Sequence, residues 1–255
     1  MKPLSESRAS VSTELPSSAT AKSQRRPGDK WLLLLAAFLF VWTALPWLAP
    51  VFMQLGWESL AKPIYLIYSF QCHQLPQRSF FLFGPQPMIS LSEVQAVWQD
   101  TTNPAILRQF IGNARVGYKV GWSDRMVAAY SSVLLGGAVW YLLRKRLRFF
   151  PLWGVVLLAL PMAVDGFSHM ASDLAGIGEG FRYTNQWLAE LTQYRLPQSF
   201  YEGTTIGTFN SSMRLITGVL FGVGIGWFTF SHLGAELTSP KRTRTDREVV
   251  SQSEL

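Results

Sequence analysis

Four long apolar runs without a charged residue are the feature that most limits what this chain can fold into. They cover residues 31–52, 126–143, 149–164 and 215–235. A helix needs about 20 apolar residues to cross the hydrocarbon core of a bilayer. A helix on the surface of a soluble domain would instead carry polar residues along one face. The runs therefore predict an all-α integral membrane protein with four transmembrane helices.

The predicted helices extend these runs by the residues next to them. The four spans are predicted at about residues 31–53, 124–143, 149–170 and 213–231, within a membrane domain at 30–237. Residues 1–29 and 238–255 are rich in Ser, Thr and charged residues and poor in large apolar ones. Such a composition is typical of disorder, so we predict two disordered cytoplasmic tails.

The positive charges predict the orientation in the membrane. The net charge is +7, and Lys and Arg gather before the first apolar run, after the fourth, and in the short link between the second and third. That link contains Arg144, Lys145, Arg146 and Arg148. Because short basic loops stay on the cytoplasmic side, both termini are predicted to be cytoplasmic, in a multi-pass protein of the cell membrane. The charges then mark topology and not nucleic-acid binding, and the predicted partner is the lipid bilayer, with any membrane-protein partner unidentified.

Short helices are predicted outside the spans. Two external loops are expected at residues 84–123 and 171–212. In the first, Ser90–Glu93 fits a capping box, and Asn103 followed by Pro104 fits a second helix start. The apolar stretch at 59–71 is short for a transmembrane helix, so a re-entrant or interfacial segment is favoured over a span, with all three left open by the sequence.

The segment Cys72–Phe80 directly follows that stretch and carries unusual chemistry. It contains the only cysteine of the chain, together with His73 and Arg78. Cys72 is therefore the candidate catalytic nucleophile, with His73 or His169 as its base and Arg78 or Arg214 as an anion-binding group.

Polar residues from four chain segments are predicted to meet at the external membrane face. Asp165 is the only acid inside a predicted span, and His169 lies one helical turn away on the same face. Buried ionisable groups in spans usually pair, and Arg125 and Arg214 are the expected partners. The predicted cluster, either a ligand site or a charge-paired structural layer, comprises His73, Arg78, Asp124, Arg125, Asp165, His169, Asn210 and Arg214.

A transition-metal ion is one possible cofactor of this cluster. Cys72, His73, Asp165 and His169 belong to residue types that bind zinc-like or copper-like ions. No CxxC or HExxH motif accompanies them. The metal site is thus a hypothesis that rests on residue types alone.

Several motifs together resemble one protein family. They are Cys72–Gln74 with Pro76, Arg78–Phe80 with Gly84, Tyr118–Arg125 with Tyr130 and Gly136, Leu160–Gly166, and Asn210–Arg214 with Thr217 and Gly218. This combination resembles the predicted membrane proteins catalogued as domain of unknown function 2085. The resemblance implies a polytopic fold with its signature residues at one membrane face, and it implies no established activity.

One position departs from the family pattern. In these proteins a second cysteine often precedes the acidic residue and arginine at the start of the second span, where this chain has Ser123. A dithiol or multi-cysteine site implied by the family therefore cannot form here.

The sequence supports three hypotheses about function. The first is an uncharacterised membrane protein that binds a ligand or ion at the polar cluster. The second is a membrane-embedded thiol-dependent or redox-linked enzyme that uses Cys72, although no recognised catalytic motif is present. The third is a small transporter subunit, which is ranked last because four spans are few for an independent carrier.

Overall fold

The computed structural model describes residues 29–147 and 149–238. Apart from Asp29 and Thr238, the two predicted tails lie outside the described residues, and so does Arg148 in the basic link. Within the described ranges the chain forms long helices that pack side by side, with a small domain-like cap at one end. We call that end, where the short strands and helices lie, the capped end.

Four helices are long and apolar enough to cross a membrane: α1 (Asp29–Gln54), α5 (Asp124–Leu143), α6 (Leu152–Asp173) and α10 (Phe209–Thr238). The predicted fold class is therefore confirmed. Helix α5 has the expected bounds, α1 differs from them by one or two residues at each end, and α6 and α10 differ by three residues or more. Pro151 is the N-cap of α6, so this helix begins after Phe149 and Phe150. The Thr208 hydroxyl accepts a hydrogen bond from the Ser211 amide, so α10 begins four residues earlier than predicted.

Helices α5 and α10 approach each other closely because of glycines. A Cβ atom added at Gly222 would collide with the carbonyl oxygen of Ala129, and one at Gly226 would collide with that of Val133. The spacing of these glycines is the small-xxx-small pattern, which allows helix backbones to come together. This contact fixes the ends of α5 and α10 at the capped end.

The cap contains a three-stranded antiparallel sheet that the sequence did not predict. Its strands are β1 (Ser79–Leu82), β2 (Gly112–Asn113) and β3 (Gly117–Ser123), in the order β1-β3-β2. Helices α3 (Leu91–Val97) and α4 (Pro104–Leu107) cover it, and the predicted capping box of Ser90 and Glu93 is present on α3. The apolar core of the cap includes Leu75, Phe81, Ile89, Val94, Leu107, Phe110, Val116, Ile177 and Tyr183.

Helix α2 (Glu58–Ser69) joins α1 to the cap. Its 12 residues give a length of about 18 Å, which is too short to cross a bilayer. One face packs on α1 and β3, where Tyr68 donates a hydrogen bond to the Trp42 carbonyl at 2.7 Å and contacts Trp122 edge-on. The opposite face exposes Leu66 and Ile67, which suits an interfacial helix.

The second predicted external loop folds over the same end. It forms α7 (Phe181–Thr184), α8 (Gln186–Leu191) and α9 (Gln198–Tyr201). The Asn210 amide on α10 donates hydrogen bonds to the carbonyls of Arg182 and Gly203, so this loop is tied to the bundle.

Candidate functional site

The capped end contains a buried ion pair between the starts of α5 and α10. Arg214 Nε donates to Asp124 Oδ1 at 2.8 Å, and Arg214 Nη2 donates to Oδ2 at 2.7 Å. The Ser211 hydroxyl donates to the same carboxylate, and the Thr204 carbonyl accepts from Arg214 Nη2. Bidentate pairing fixes the planar guanidinium in one orientation, and the carboxylate lies at the favourable N-terminal end of α5.

Asp165 on α6 is the centre of a second charged group. Arg125 Nη2 lies 2.7 Å from Oδ2, and Arg182 Nη2 lies 2.6 Å from Oδ1. The predicted pairing of Asp165 with Arg125 is thus observed. The expected pairing with Arg214 is not, because the close approach of α5 and α10 brings Arg214 to Asp124 instead.

His169 lies beside this pair, as its spacing predicted. Its Nε2 is 3.1 Å from Arg182 Nη2 and 4.0 Å from Asp165 Oδ1. A guanidinium can only donate, so Nε2 of His169 is the acceptor of this hydrogen bond. Arg182 is the important residue that sequence reasoning missed. It lies on the four-residue helix α7, within the second predicted external loop, where the sequence shows no periodic pattern. Only the requirement of Asp165 for further positive charge could have indicated it.

A third charged group joins the segment after α2 to the end of α6. Arg78 Nη2 lies 2.7 Å from Asp173 Oδ1 and 3.0 Å from the hydroxyl of Tyr183, which donates to the same carboxylate oxygen. Burial raises the pKa of Tyr183, so its hydroxyl keeps its proton near neutral pH. Asp173 and Tyr183 were also missed by sequence reasoning.

A cavity of about 220 Å³ lies between these groups and the segment that contains Cys72. It is lined by Gln71, Cys72, His73, Gln74, Leu75, Arg78, Ser123, Arg125, Met126 and Arg214. Three of these residues are arginines and none is acidic. The structure thus brings Cys72 and His73 to the same cavity as Arg78, Arg125 and Arg214. The sequence had predicted only that the segments with these residues meet at one membrane face.

The three arginines of the cavity are not fully hydrogen-bonded. Over residues 29–147 and 149–238, Arg78 Nε, Arg125 Nε and Arg214 Nη1 are buried and have no hydrogen-bond partner. Buried polar groups without partners are rare in folded proteins, so each calls for an explanation. Around the cavity, the four arginines at 78, 125, 182 and 214 outnumber the three aspartates that pair with them, Asp124, Asp165 and Asp173. The arrangement therefore favours negatively charged groups.

The backbone around Cys72 is held in a strained turn. Gln74 has a left-handed conformation, with φ of 53°, and its amide donates to Cys72 Sγ at 3.4 Å. The Gln74 side chain donates to the carbonyls of Tyr65 and Gly121, at 2.8 and 2.9 Å. These contacts hold a conformation that costs a non-glycine residue about 1–3 kcal/mol.

A buried lysine lies behind this turn. Lys119 Nζ donates to the carbonyls of Gln74 and Arg108, at 2.9 and 2.6 Å, and the residue has no exposed surface. The pKa of Lys119 is lowered to about 7, mainly by burial, with Cys72 acting in the opposite direction and Arg108 adding a smaller decrease. Lys119 was not among the residues that sequence reasoning selected.

The hypothetical metal site is not assembled. Among the residues that the structure describes, no group of three or more His, Cys, Asp or Glu could hold a metal ion. Asp165 is bound by two guanidinium groups, while His73 is exposed at the cavity. The structure therefore gives no support to Cys72, His73, Asp165 and His169 as a metal-ligand set.

Comparison with known proteins agrees with the membrane fold and adds no activity. Residues 116–228 match the family model described as predicted membrane protein (DUF2085), which confirms the resemblance over this part of the chain. The uncharacterized protein MJ1492 of Methanocaldococcus jannaschii is 29% identical over 183 residues, which cover 67% of this chain and 92% of that protein. No solved structure matches significantly. The matched region includes Arg125, Asp165 and Arg214. It begins at residue 116 and therefore does not include Cys72.

Proposed function

We propose that this integral membrane protein binds a small oxyanion of the phosphate class in the arginine-lined cavity. The observation that carries the proposal is the cavity lining, which contains Arg78, Arg125 and Arg214 and no acidic residue. Each of these arginines also has a buried nitrogen atom without a hydrogen-bond partner among the described residues. Arginine forms directed hydrogen bonds with phosphate and carboxylate oxygens, and several arginines together favour an anion with several oxygens.

The size of the cavity supports a small ligand. Its volume of about 220 Å³ is below the range of about 300–1,000 Å³ that is typical for drug-sized molecules. A single phosphate group, free or at the end of a larger molecule, is consistent with this volume. The larger part of such a molecule would extend out of the open side.

The proposal includes an orientation in the cell membrane. The basic link after α5 lies at the end opposite the cavity, where Arg144 pairs with Asp29 at 2.6 Å. The positive-inside rule assigns that end to the cytoplasm. The oxyanion would then reach the cavity from the extracytoplasmic side, and both termini would be cytoplasmic.

Thermal unfolding of the purified protein with and without phosphate tests the proposal. Phosphate should raise Tm in a saturable manner at constant ionic strength, because a ligand that binds only the folded state stabilises it. Arg125→Gln removes one cavity donor and leaves Asp165 paired with Arg182. Losing one charge-assisted hydrogen bond of about 1.5–3 kcal/mol should raise the phosphate concentration required by about tenfold or more.

Arg115→Gln is the matched control, since Arg115 is exposed and lies outside the cavity. This variant should respond to phosphate as the wild type does. A wild-type Tm that responds equally to phosphate and to chloride would contradict the proposal, and so would an unchanged phosphate response in Arg125→Gln.

A further inference from the structure

Cys72 and Arg78 are brought together by the fold of the segment between them. Five residues separate them in the sequence, and the last three before β1, Pro76–Arg78, form a single 3-10 turn. This turn changes the direction of the chain, and the Cys72 thiol and the Arg78 guanidinium line the same cavity. The thiol is half-buried, so it is accessible from the cavity without being freely exposed.

The position of the thiol is defined by its surroundings. The left-handed turn at Gln74 directs a backbone N–H to Sγ, and hydrogen bonds to Tyr65, Gly121 and Lys119 hold that turn. A nucleophile that is fixed beside its substrate reacts faster than one that must be ordered first. Independently of the thiol, Arg214 lines the same cavity together with Arg78 and Arg125, and no acidic residue does, which favours an anionic ligand there. Arg214 is only 2% exposed, and its Nη1 has no partner among the described residues.

We infer that Cys72 is the nucleophile of a phosphomonoester hydrolase site, an inference that rests on the proposed binding of an oxyanion. The Cys72 sulfur, as thiolate, attacks phosphorus, and the bond between phosphorus and the ester oxygen breaks. The alcohol leaves with a proton from His73, the imidazole that lines the cavity. The product on the protein is S-phosphocysteine.

Water completes the reaction. Its oxygen attacks phosphorus, the sulfur–phosphorus bond breaks, and inorganic phosphate and the Cys72 thiolate are released, while the neutral imidazole of His73 takes the proton of the attacking water. The balance requires no oxidant or reductant. Arg78, Arg125 and Arg214 lie where they can stabilise the charge on the non-bridging oxygens in both steps.

The surroundings of the cavity suit a phosphomonoester at the membrane surface. Phe70, two residues before Cys72, is 85% exposed, and Leu66 and Ile67 on α2 are also exposed. Apolar side chains at this position can contact lipid while the polar group enters the cavity. The phosphomonoester can therefore be the head group of a lipid or a soluble ester, and the experiment contains an arm for each.

Phosphate release by the full protein in lipid nanodiscs tests the inference. Phosphatidic acid included in the nanodiscs supplies a lipid phosphomonoester, and p-nitrophenyl phosphate supplies a soluble one. The wild type should hydrolyse at least one of them, and Cys72→Ala should lose about a thousandfold or more of this activity, because the nucleophile is removed. Rapid acid quenching of the wild type should trap one phosphoryl group on Cys72, detected by peptide mass spectrometry.

Two controls separate this inference from the proposed function. Arg115→Gln should retain hydrolysis, and the Tm of Cys72→Ala measured without phosphate should show that this variant is folded. If the wild type binds phosphate but hydrolyses neither ester, the inference is overturned and oxyanion binding stands. Hydrolysis that survives in Cys72→Ala would also overturn it. If phosphate does not bind at all, both ideas fail together.

Discussion

Asp165 is the residue on which the charge balance of the capped end most depends. Its carboxylate is almost fully buried and is paired with Arg125 and Arg182 from two different elements. Each of its oxygens accepts one of these hydrogen bonds. The carboxylate therefore joins α5, α6 and α7 beneath the cavity and compensates two positive charges at once.

Replacing Asp165 with Asn should destabilise the protein strongly. The change leaves two buried guanidinium groups without their counter-charge, which typically costs about 3–5 kcal/mol. Asp173→Asn is the matched control, because the Asp173 side chain is 21% exposed and, among the described residues, forms an ion pair with one arginine, Arg78. Thermal unfolding of both variants should show the larger decrease in Tm for Asp165→Asn. Equal decreases would show that burial of the pair does not determine its effect.

Lys119 should make stability depend on pH. Burial lowers its pKa from the usual 10.5 to about 7 in the folded protein. Between these values the unfolded state binds more protons than the folded state, so stability gained from this group rises with pH from about 7 to 10.5. Below about pH 7 the folded protein bears the full cost of a buried ammonium group beside Arg108.

The comparison of wild type with Lys119→Met isolates this effect. Met retains the aliphatic length of the side chain and removes the titrating amine. The difference in Tm, wild type minus variant, should increase between pH 7 and pH 9.5, as measured by scanning fluorimetry. If the Tm of both proteins changed in parallel with pH, Lys119 would be excluded as the cause of the pH-dependent stability.

At the scale of single elements, the contact between α5 and α10 positions the Asp124–Arg214 pair. Both residues lie near the starts of helices whose backbones approach at Gly218, Gly222 and Gly226. The separation of α5 and α10 therefore determines the distance between Asp124 and Arg214. Packing inside the bundle and charge at its end are parts of the same arrangement.

Gly222→Ala should disturb this contact. The added methyl group would collide with the Ala129 carbonyl, and such overpacking typically costs about 1–3 kcal/mol. Gly224→Ala is the control, because the atoms nearest to its methyl group belong to the Leu158 side chain, at 3.2 Å or more, and not to a backbone. Only Gly222→Ala should lower both Tm and the response to phosphate. The same loss in Gly224→Ala would indicate that α10 tolerates no added methyl group on either face.

The sequence predicted elements where the signal was local. Uncharged apolar runs indicated the four spans, the capping box indicated α3, and length favoured an interfacial or re-entrant α2 over a span. The sheet was missed because β1 pairs with β3 across about forty residues, and short strands such as β2 carry little pattern.

The same distinction holds for the candidate site. Asp165, His169 and Arg125 could be selected because ionisable residues are rare in or beside a span. Arg182, Asp173, Tyr183 and Lys119 could not, because they lie in loops, a strand or a helix end where polar residues are ordinary. Their importance follows from tertiary contacts, which sequence periodicity does not report.

For the whole molecule, the proposed orientation places the cavity outside and the basic link inside. Cys72 is the only cysteine, so Cys72→Ser gives a background for single-cysteine labelling. Thr102→Cys, in the cap, and Lys145→Cys, in the basic link, both replace exposed residues. A membrane-impermeant maleimide should label Thr102→Cys in intact cells, and it should label Lys145→Cys only after permeabilisation. The reverse pattern would invert the topology.

Direct binding of radiolabelled inorganic phosphate to the purified protein in nanodiscs tests the central claim. Equilibrium dialysis at fixed ionic strength should find saturable binding of one phosphate per wild-type chain, competed by sulfate. Arg115→Gln should bind equally, and Arg125→Gln should bind about tenfold or more weakly, because one charge-assisted donor is lost. The absence of saturable binding to the wild type, or equal affinity in Arg125→Gln, would contradict an oxyanion site formed by Arg78, Arg125 and Arg214.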